Sequence, residues 1–179
     1  MNAFNILIAG FGGQGVLFAG KFIVYAGLIQ GRQVSWLPSY GPEMRGGTAN
    51  CSVIISDEPI GSPIVTKPNI LIAMNLPSLD RYEDSVEESG LAASDSSLIP
   101  RGLHRTDIQG VFIPASSLAE ENGLKGLSNM IMVGKAIREA GICTQGEIAE
   151  AMAKTVPERK KSLFDSNMRA VFLGYNYGR

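Results

Sequence analysis

Cysteine and histidine are almost missing from this chain. Two cysteines, Cys51 and Cys143, stand far apart and belong to no motif. They cannot hold a four-cysteine iron–sulfur cluster. The single histidine, His104, cannot build a histidine-rich zinc site. It falls in a polar turn, residues 101–107, and reads as a solvated loop residue. Acid is missing from the start: the first carboxylate is Glu43, and before it the only charged side chains are Lys21 and Arg32. Neither sign of charge is in excess, with 16 Lys+Arg against 17 Asp+Glu, so there is no electrostatic footprint for nucleic acid. No apolar run is long enough to span a bilayer. No basic leader precedes the first apolar segment, so the expected location is the cytoplasm, with both thiols buried and reduced. There is no nucleophile elbow, Walker loop or HExxH pair. A redox or hydrolytic reaction served by this chain must take most of its chemical groups from elsewhere. No residue is read as catalytic and none as a metal ligand.

What is present begins with NILIAGFGGQGVLFA at residues 5–19. A short apolar run leads into Gly10, Phe11, Gly12, Gly13, Gln14 and Gly15, and then into Val16, Leu17, Phe18 and Ala19. This predicts strand, glycine turn, helix. Glycine lets the backbone take positive φ and approach a ligand closely. The first N–H groups of the helix lack internal partners and sit at the positive end of its dipole, a ready site for phosphate. Gly10, Gly12 and Gly15 fit the dinucleotide pattern G-x-G-x-x-G. That pattern also wants an acid at the end of the second strand for the ribose hydroxyls, and none lies nearby. NAD is therefore demoted, while another anionic ligand and a tight turn that binds nothing both stay open.

The 45% hydrophobic content predicts a globular fold. Residues 14–30 form a helix that Gly31 stops, with Ala19 and Gly20 allowing close approach to a sheet. Residues 33–37 form a second strand, and the strand–helix–strand spacing suggests a parallel pair. Residues 38–47 follow the carboxyl end of that strand, where open α/β sheets bind ligands. They carry Tyr40, Glu43, Arg45, Gly46 and Gly47 and read as a functional loop. Residues 49–56 alternate as a strand, residues 60–65 suggest a short edge segment, and residues 69–74 a strand buried on both faces. A helix beginning at residues 75–78 presents Asp80, Glu83, Asp84, Glu87 and Glu88 as a solvated acidic face and ends at Gly90. Residues 91–99 and 111–114 are two further strands. The last third is helical. Leu127, Met130, Ile131, Gly134 and Ile137 recur at helical spacing, and Thr144–Glu147 and Thr155–Glu158 match capping boxes. These helices are expected to cover both faces of the sheet. Residues 1–179 read as a single α/β domain, a three-layer α/β/α sandwich with a mainly parallel or mixed sheet.

Three segments together carry more than their separate physics: GFGGQGVLFAG at 10–20, SYGPEMRGGTANCSVIISDEPI at 39–60, and KPNILIAMN at 67–75. With SNMIMVGKAIREAGI near the end, they resemble the gamma subunit of the 2-oxoacid:ferredoxin oxidoreductases. The 2-oxoglutarate type is nearest, with the 2-oxoisovalerate and pyruvate types beside it. The resemblance implies oxidative decarboxylation of a 2-oxoacid, transfer of the acyl group to coenzyme A, and delivery of electrons to ferredoxin. It places thiamine diphosphate on alpha and beta subunits, and iron–sulfur clusters on beta or a delta subunit. None of these is expected on this chain. The chain itself is expected to bind coenzyme A through Gly10, Gly12, Gly13, Gln14 and Gly15, the backbone amides on phosphate and the Gln14 side chain adding a hydrogen bond. Tyr40, Glu43, Arg45, Gly46 and Gly47 are expected to face ligand or a partner subunit. An indolepyruvate oxidoreductase subunit and a free-standing nucleotide-binding module are the alternatives. An isolated chain is expected to pair with itself through exposed interface surface.

Overall fold

The computed structural model describes residues 3–39 and 48–178. Its centre is a six-stranded sheet: β1 (Ala3–Phe11), β2 (Gln33–Ser39), β3 (Thr48–Ser56), β4 (Ile70–Ala73), β5 (Leu91–Asp95) and β6 (Gln109–Ile113). The spatial order is β2-β3-β1-β4-β5-β6. β1, β4, β5 and β6 pair in parallel, while β3 runs antiparallel to both β1 and β2. The sheet is therefore mixed. β1 and β4 are central, and every residue of β4 is buried, as expected for a strand covered on both faces.

The expected parallel pairing of the first two strands is not what forms. β1 and β2 run in the same direction, but β3 lies between them. Only residues 40–47 connect β2 to β3. That length suits an antiparallel return, whereas a parallel crossover needs a dozen residues or more. Cys51, Val53 and Ile55 of β3 are fully buried as expected, in one core with α1 (Val16–Ile29), but Ser52, Ile54 and Ser56 between them are buried too, so burial does not alternate along the strand. Gly20 permits that packing, since a Cβ there would lie 2.5 Å from Cys51 Sγ. Helix α1 ends as expected at Gly31, with the Gly31 N–H on Leu28 O and the Arg32 N–H on Gly27 O, the paired bonds of a Schellman stop.

The two faces of the sheet are unequally covered. α1, α3 (Ala115–Glu121), α4 (Ser128–Ala140), α5 (Gln145–Thr155) and α6 (Lys161–Asn176) share one core with Ile6, Ile8, Ile70 and Ile72. The opposite face, with Leu7, Leu71, Ala73 and Ala92, is covered by α2 (Leu76–Tyr82), the 3₁₀ turn after it, and Ile99 and Ile108 from the following loops. The C-terminal helices were expected to cover both faces; they cover only one. α4 and α6 cross closely. A Cβ on Gly134 would lie 2.0 Å from Val171 O, and one on Gly174 would lie 1.9 Å from Ile131 O.

Other local expectations change. Residues 60–65 form no strand, and Ile64 is 61% exposed. The helix after β4 stops at Tyr82 and adds one 3₁₀ turn, Glu83–Ser85, well short of Gly90. Glu83 is not on a solvated face: its side chain is 0% exposed. The loop before β6 folds over it. Arg101 Nη1 donates to Oε2 at 2.9 Å, and the backbone N–H groups of His104 and Arg105 donate to Oε1 at 2.6 and 3.2 Å. His104 also bridges Glu83 and Asp84 through its two ring nitrogens, at 2.9 and 2.7 Å. It is half-exposed but tethered. Burial by itself would raise the Glu83 carboxyl. The bonds from the Arg105 N–H, the Arg101 guanidinium and the His104 N–H outweigh it and hold the group below its ordinary value. The Thr144–Glu147 capping box forms. The second one does not: Thr155 lies inside α5, its hydroxyl donating to Ala151 O at 2.7 Å, and α6 starts after Lys160 without a side-chain cap.

Candidate functional site

The glycine turn stands at the carboxyl end of β1, where the sheet changes sides. The helix after β1, α1, packs on one face, and the helix after β4, α2, packs on the other. Between two such strands an open α/β sheet leaves a crevice at its carboxyl end. Residues 11–14 form a tight turn closed by the Gln14 N–H on Phe11 O at 3.1 Å. Gly13, its third residue, has φ 95°, and Gly15, the N-cap of α1, has φ 73°. Both backbones lie where only glycine is unstrained. Space differs at the two. A Cβ on Gly13 would meet nothing within 4 Å, whereas one on Gly15 would strike the Asn129 amide nitrogen at 2.4 Å.

The donors of this turn are largely unspent. α1 has no side-chain cap and no acid in its first turn. The N–H groups of Gly12, Gly13, Gly15, Val16, Leu17 and Phe18 find no partner among the described residues. They border a shallow cleft of about 240 Å³ lined by Phe11, Gly12, Gly13, Gly15, Leu17, Phe18 and Ala49. A run of free amides at a positive helix end suits an oxyanion, a phosphate above all. Lys21, the charged residue of α1, lies over the Tyr25 ring, and Arg32 pairs with Asp57 at the other end of the sheet.

The structure brings Gly10, Gly12, Gly13, Gln14 and Gly15 together, with different duties. Gly10 lies in β1, where a Cβ would press on Gln14 Oε1 at 2.8 Å and Met74 Cβ at 3.1 Å, so its role is close packing. The Gln14 side chain is already engaged. Its Oε1 accepts from the Phe11 N–H at 2.6 Å and from Asn75 Nδ2 at 2.9 Å, and its Nε2 donates to Met74 O at 3.3 Å. Asn75 in turn caps α2 by accepting from the Ser78 N–H at 2.9 Å. Gln14 thus locks the ends of β1 and β4 and the start of α2 into one unit, and one amide hydrogen remains for a ligand. Tyr40, Glu43, Arg45, Gly46 and Gly47 lie outside the described residues. Their flanking strands end beside the turn, with Thr48 opposite Phe11.

Two further residues belong to this place and were not singled out from the sequence. One is Asn75. The other is Asn129, 3% exposed, in the first turn of α4, which donates from Nδ2 to Gly15 O at 3.1 Å. The available signal was a Ser-Asn pair opening an otherwise apolar helix, a pattern proper to helix starts. Neither cysteine is a nucleophile: burial pushes the thiols of Cys51 and Cys143 up to about 12. Among the described residues no group of three metal-ligating side chains gathers, and no helix is long and apolar enough to cross a membrane.

Comparison with known proteins agrees along nearly the whole chain. The ketoisovalerate oxidoreductase subunit VorA of Methanothermobacter thermautotrophicus is 37% identical over 177 residues, 98% of this chain but 36% of that protein. The chain thus spans about a third of the length of the curated relatives it matches at this level. The 2-oxoglutarate synthase subunit KorC of Methanocaldococcus jannaschii is 33% identical, with 98% of this chain and 94% of that protein covered. The crystal structure of the gamma subunit of a keto/oxoacid ferredoxin oxidoreductase from Geobacter sulfurreducens superposes with a TM-score of 0.83 at 27% identity, covering 98% of this chain and 95% of that one. The family model for pyruvate ferredoxin/flavodoxin oxidoreductase matches residues 5–177, and the chain belongs to that family.

Proposed function

We propose that this chain works as the gamma subunit of a 2-oxoacid:ferredoxin oxidoreductase and contributes the complex's coenzyme A site. The observation that carries the ligand is the set of N–H groups at Gly12, Gly13, Gly15, Val16, Leu17 and Phe18 that find no partner among the described residues, open at Gly13 and facing no carboxylate in the first turn of α1. Coenzyme A is a phosphate-rich thiol that accepts the acyl group, so a subunit can serve the reaction by holding it. Gly12, Gly13 and Gly15 bind phosphate through their amides, and Gly10 and Gln14 keep the turn in shape. The residues at 40–47, Glu43 and Arg45 foremost, face ligand or the neighbouring subunit.

The substrate is a 2-oxoacid, 2-oxoglutarate first, with a pocket carried mainly by partner chains. Relatives named for 2-oxoglutarate and for ketoisovalerate both stand near this chain. Thiamine diphosphate and the iron–sulfur clusters belong to alpha, beta and delta-type partners, with ferredoxin as acceptor. The greater length of the VorA relatives fits a domain that works joined to others. Residues 1–179 act as one unit, in the cytoplasm, where two unpaired thiols stay reduced.

The test compares Gly13→Asp with Gly13→Asn in the assembled complex. The two share shape and backbone strain and differ by one charge. The expected result is a KM for coenzyme A at least tenfold higher in Gly13→Asp, with the KM for the 2-oxoacid equal in both. Equal coenzyme A constants would remove the phosphate from this turn.

A further inference from the structure

The start of α6 carries the wrong charge for a helix. Residues 154–161 hold four of the chain's 16 Lys and Arg, namely Lys154, Arg159, Lys160 and Lys161, against one acid, Glu158. Lys160 is the N-cap of α6, and no acid stands in the first turn. The positive end of a helix favours acids and disfavours cations. All four cations are exposed. None makes an ion pair or a side-chain hydrogen bond among the described residues, whereas Arg32, Arg101, Arg105 and Lys135 each pair with a carboxylate. A local rule broken with no compensating contact marks a place kept for function.

α5 and α6 leave a groove beside these charges, with a volume of about 230 Å³, lined by Ala153, Val156, Pro157, Lys161 and Phe164. Its floor is the edge of the main core, where Val156 is buried and Phe164 half-buried. Sites for cofactors and drug-sized ligands begin at about 300 Å³, whereas a cavity of about 150 Å³ takes up benzene. The groove is therefore sized for one large apolar side chain.

We infer that this groove docks an acidic segment of a partner subunit. One leucine, methionine or aromatic side chain of that segment fills the space over Val156 and Phe164. Carboxylates on either side of it pair with Lys154, Arg159, Lys160 and Lys161. The inference rests on the gamma-subunit reading and deepens it by giving a partner its point of attachment. Charge and shape select the occupant. An acidic segment supplies both the counter-charge that the helix start lacks and the apolar anchor. A bilayer surface supplies charge but takes up raised apolar faces, and here the apolar surface is a recess. Nucleic acid supplies charge but stacks its bases on open aromatic faces, and Phe164 is half-buried in the floor.

Lys160→Glu combined with Lys161→Glu separates docking from folding. Acids at a helix start stabilise the helix, so Tm is kept or raised while an acidic partner is repelled. Lys67→Glu combined with Lys125→Glu makes the same change of net charge at two exposed positions elsewhere. Ala153→Trp fills the groove and leaves the charges in place. The affinity of each tagged chain for the remaining subunits of the complex is read by biolayer interferometry at low and high salt. The double reversal at 160 and 161 is expected to raise Kd about tenfold or more at low salt, with the gap narrowing at high salt. Ala153→Trp is expected to raise Kd at both salts, and the control pair to leave it unchanged. Carbodiimide coupling of the wild-type complex, which joins amines to carboxylates in contact, is expected to link Lys154, Lys160 or Lys161 to an acid of a partner subunit. Unchanged affinity in both the double reversal and Ala153→Trp would overturn the inference and leave the gamma-subunit reading standing. Unchanged affinity together with lost binding to phosphatidylserine vesicles would give the patch to a membrane and overturn the inference likewise. No assembly by the wild-type chain would overturn both readings.

Discussion

Gly134→Ala sets two effects of opposite sign against each other. In an exposed helix the change is favourable by about 1 kcal/mol, because alanine loses less backbone freedom than glycine. Here the added Cβ would stand 2.0 Å from Val171 O and 2.9 Å from Tyr175 N. Both neighbours are backbone, so no rotamer relieves the clash, and α4 and α6 must separate. The core that α4 and α6 share, with Met130, Ile131 and Ile137 from one and Ala170 and Val171 from the other, loosens with them. Overpacking of this kind costs about 1–3 kcal/mol, and a backbone-to-backbone clash belongs at the upper end. The net is a loss of about 2 kcal/mol. For a domain of this size that lowers Tm by about 4–8 °C. Gly146→Ala is the control, free of any contact nearer than 4.0 Å, and is expected to leave Tm unchanged or raise it. Thermal melts followed by circular dichroism measure both. A higher Tm in Gly134→Ala would mean that helix propensity acts alone and that α4 and α6 do not approach as described. The outcome bears on the site as well, since α4 carries Asn129 onto Gly15.

Three further outcomes follow from named groups. Arg101→Ala leaves the fully buried Glu83 without its guanidinium, and stability should fall by about 3 kcal/mol or more in urea unfolding at neutral pH; a loss under 1 kcal/mol would show the backbone donors to be sufficient. The Glu83 pKa is lower in the fold than in the unfolded chain. Its stabilisation is therefore present above the unfolded carboxylate range, about pH 4.3, and is lost as the pH falls through the folded value. Wild-type stability should decline in that acid window more steeply than that of Glu83→Gln. With both thiols raised to about 12, the native chain should not react with a thiol reagent at pH 8, and both cysteines should react in denaturant; rapid native labelling would contradict the buried positions of Cys51 and Cys143.

Much of this architecture was legible because it is written locally. The apolar run into Gly10–Gly15, the strand that carries Cys51, Val53 and Ile55, and the Thr144–Glu147 cap depend on neighbours a few residues away, and each forms as read. Strand order is not local. Nothing in residues 33–37 says that β3 will enter between β2 and β1; only the short link at 40–47 hints at it. The face chosen by each C-terminal helix likewise depends on contacts across the whole sheet. Glu83 was misread because its partners, Arg101, His104 and Arg105, come 18 to 22 positions later, and an acid within a run of acids looks solvated until a loop closes over it. The glycine turn was legible because the spacing of its glycines is set by the backbone it needs. The bonds of Gln14 to Asn75 and of Asn129 to Gly15 were not, since they join segments 61 and 114 positions apart.

The central claim is tested most directly by isolating the tagged chain from its own organism, grown without oxygen, in mild salt. The proteins that come with it are then identified by mass spectrometry, and the sample is assayed for coenzyme A-dependent reduction of ferredoxin with several 2-oxoacids. The account predicts recovery of a thiamine-binding subunit and a cluster-bearing subunit, with activity that needs coenzyme A and is highest on 2-oxoglutarate. Recovery of this chain by itself, with no such activity in the sample, would contradict it.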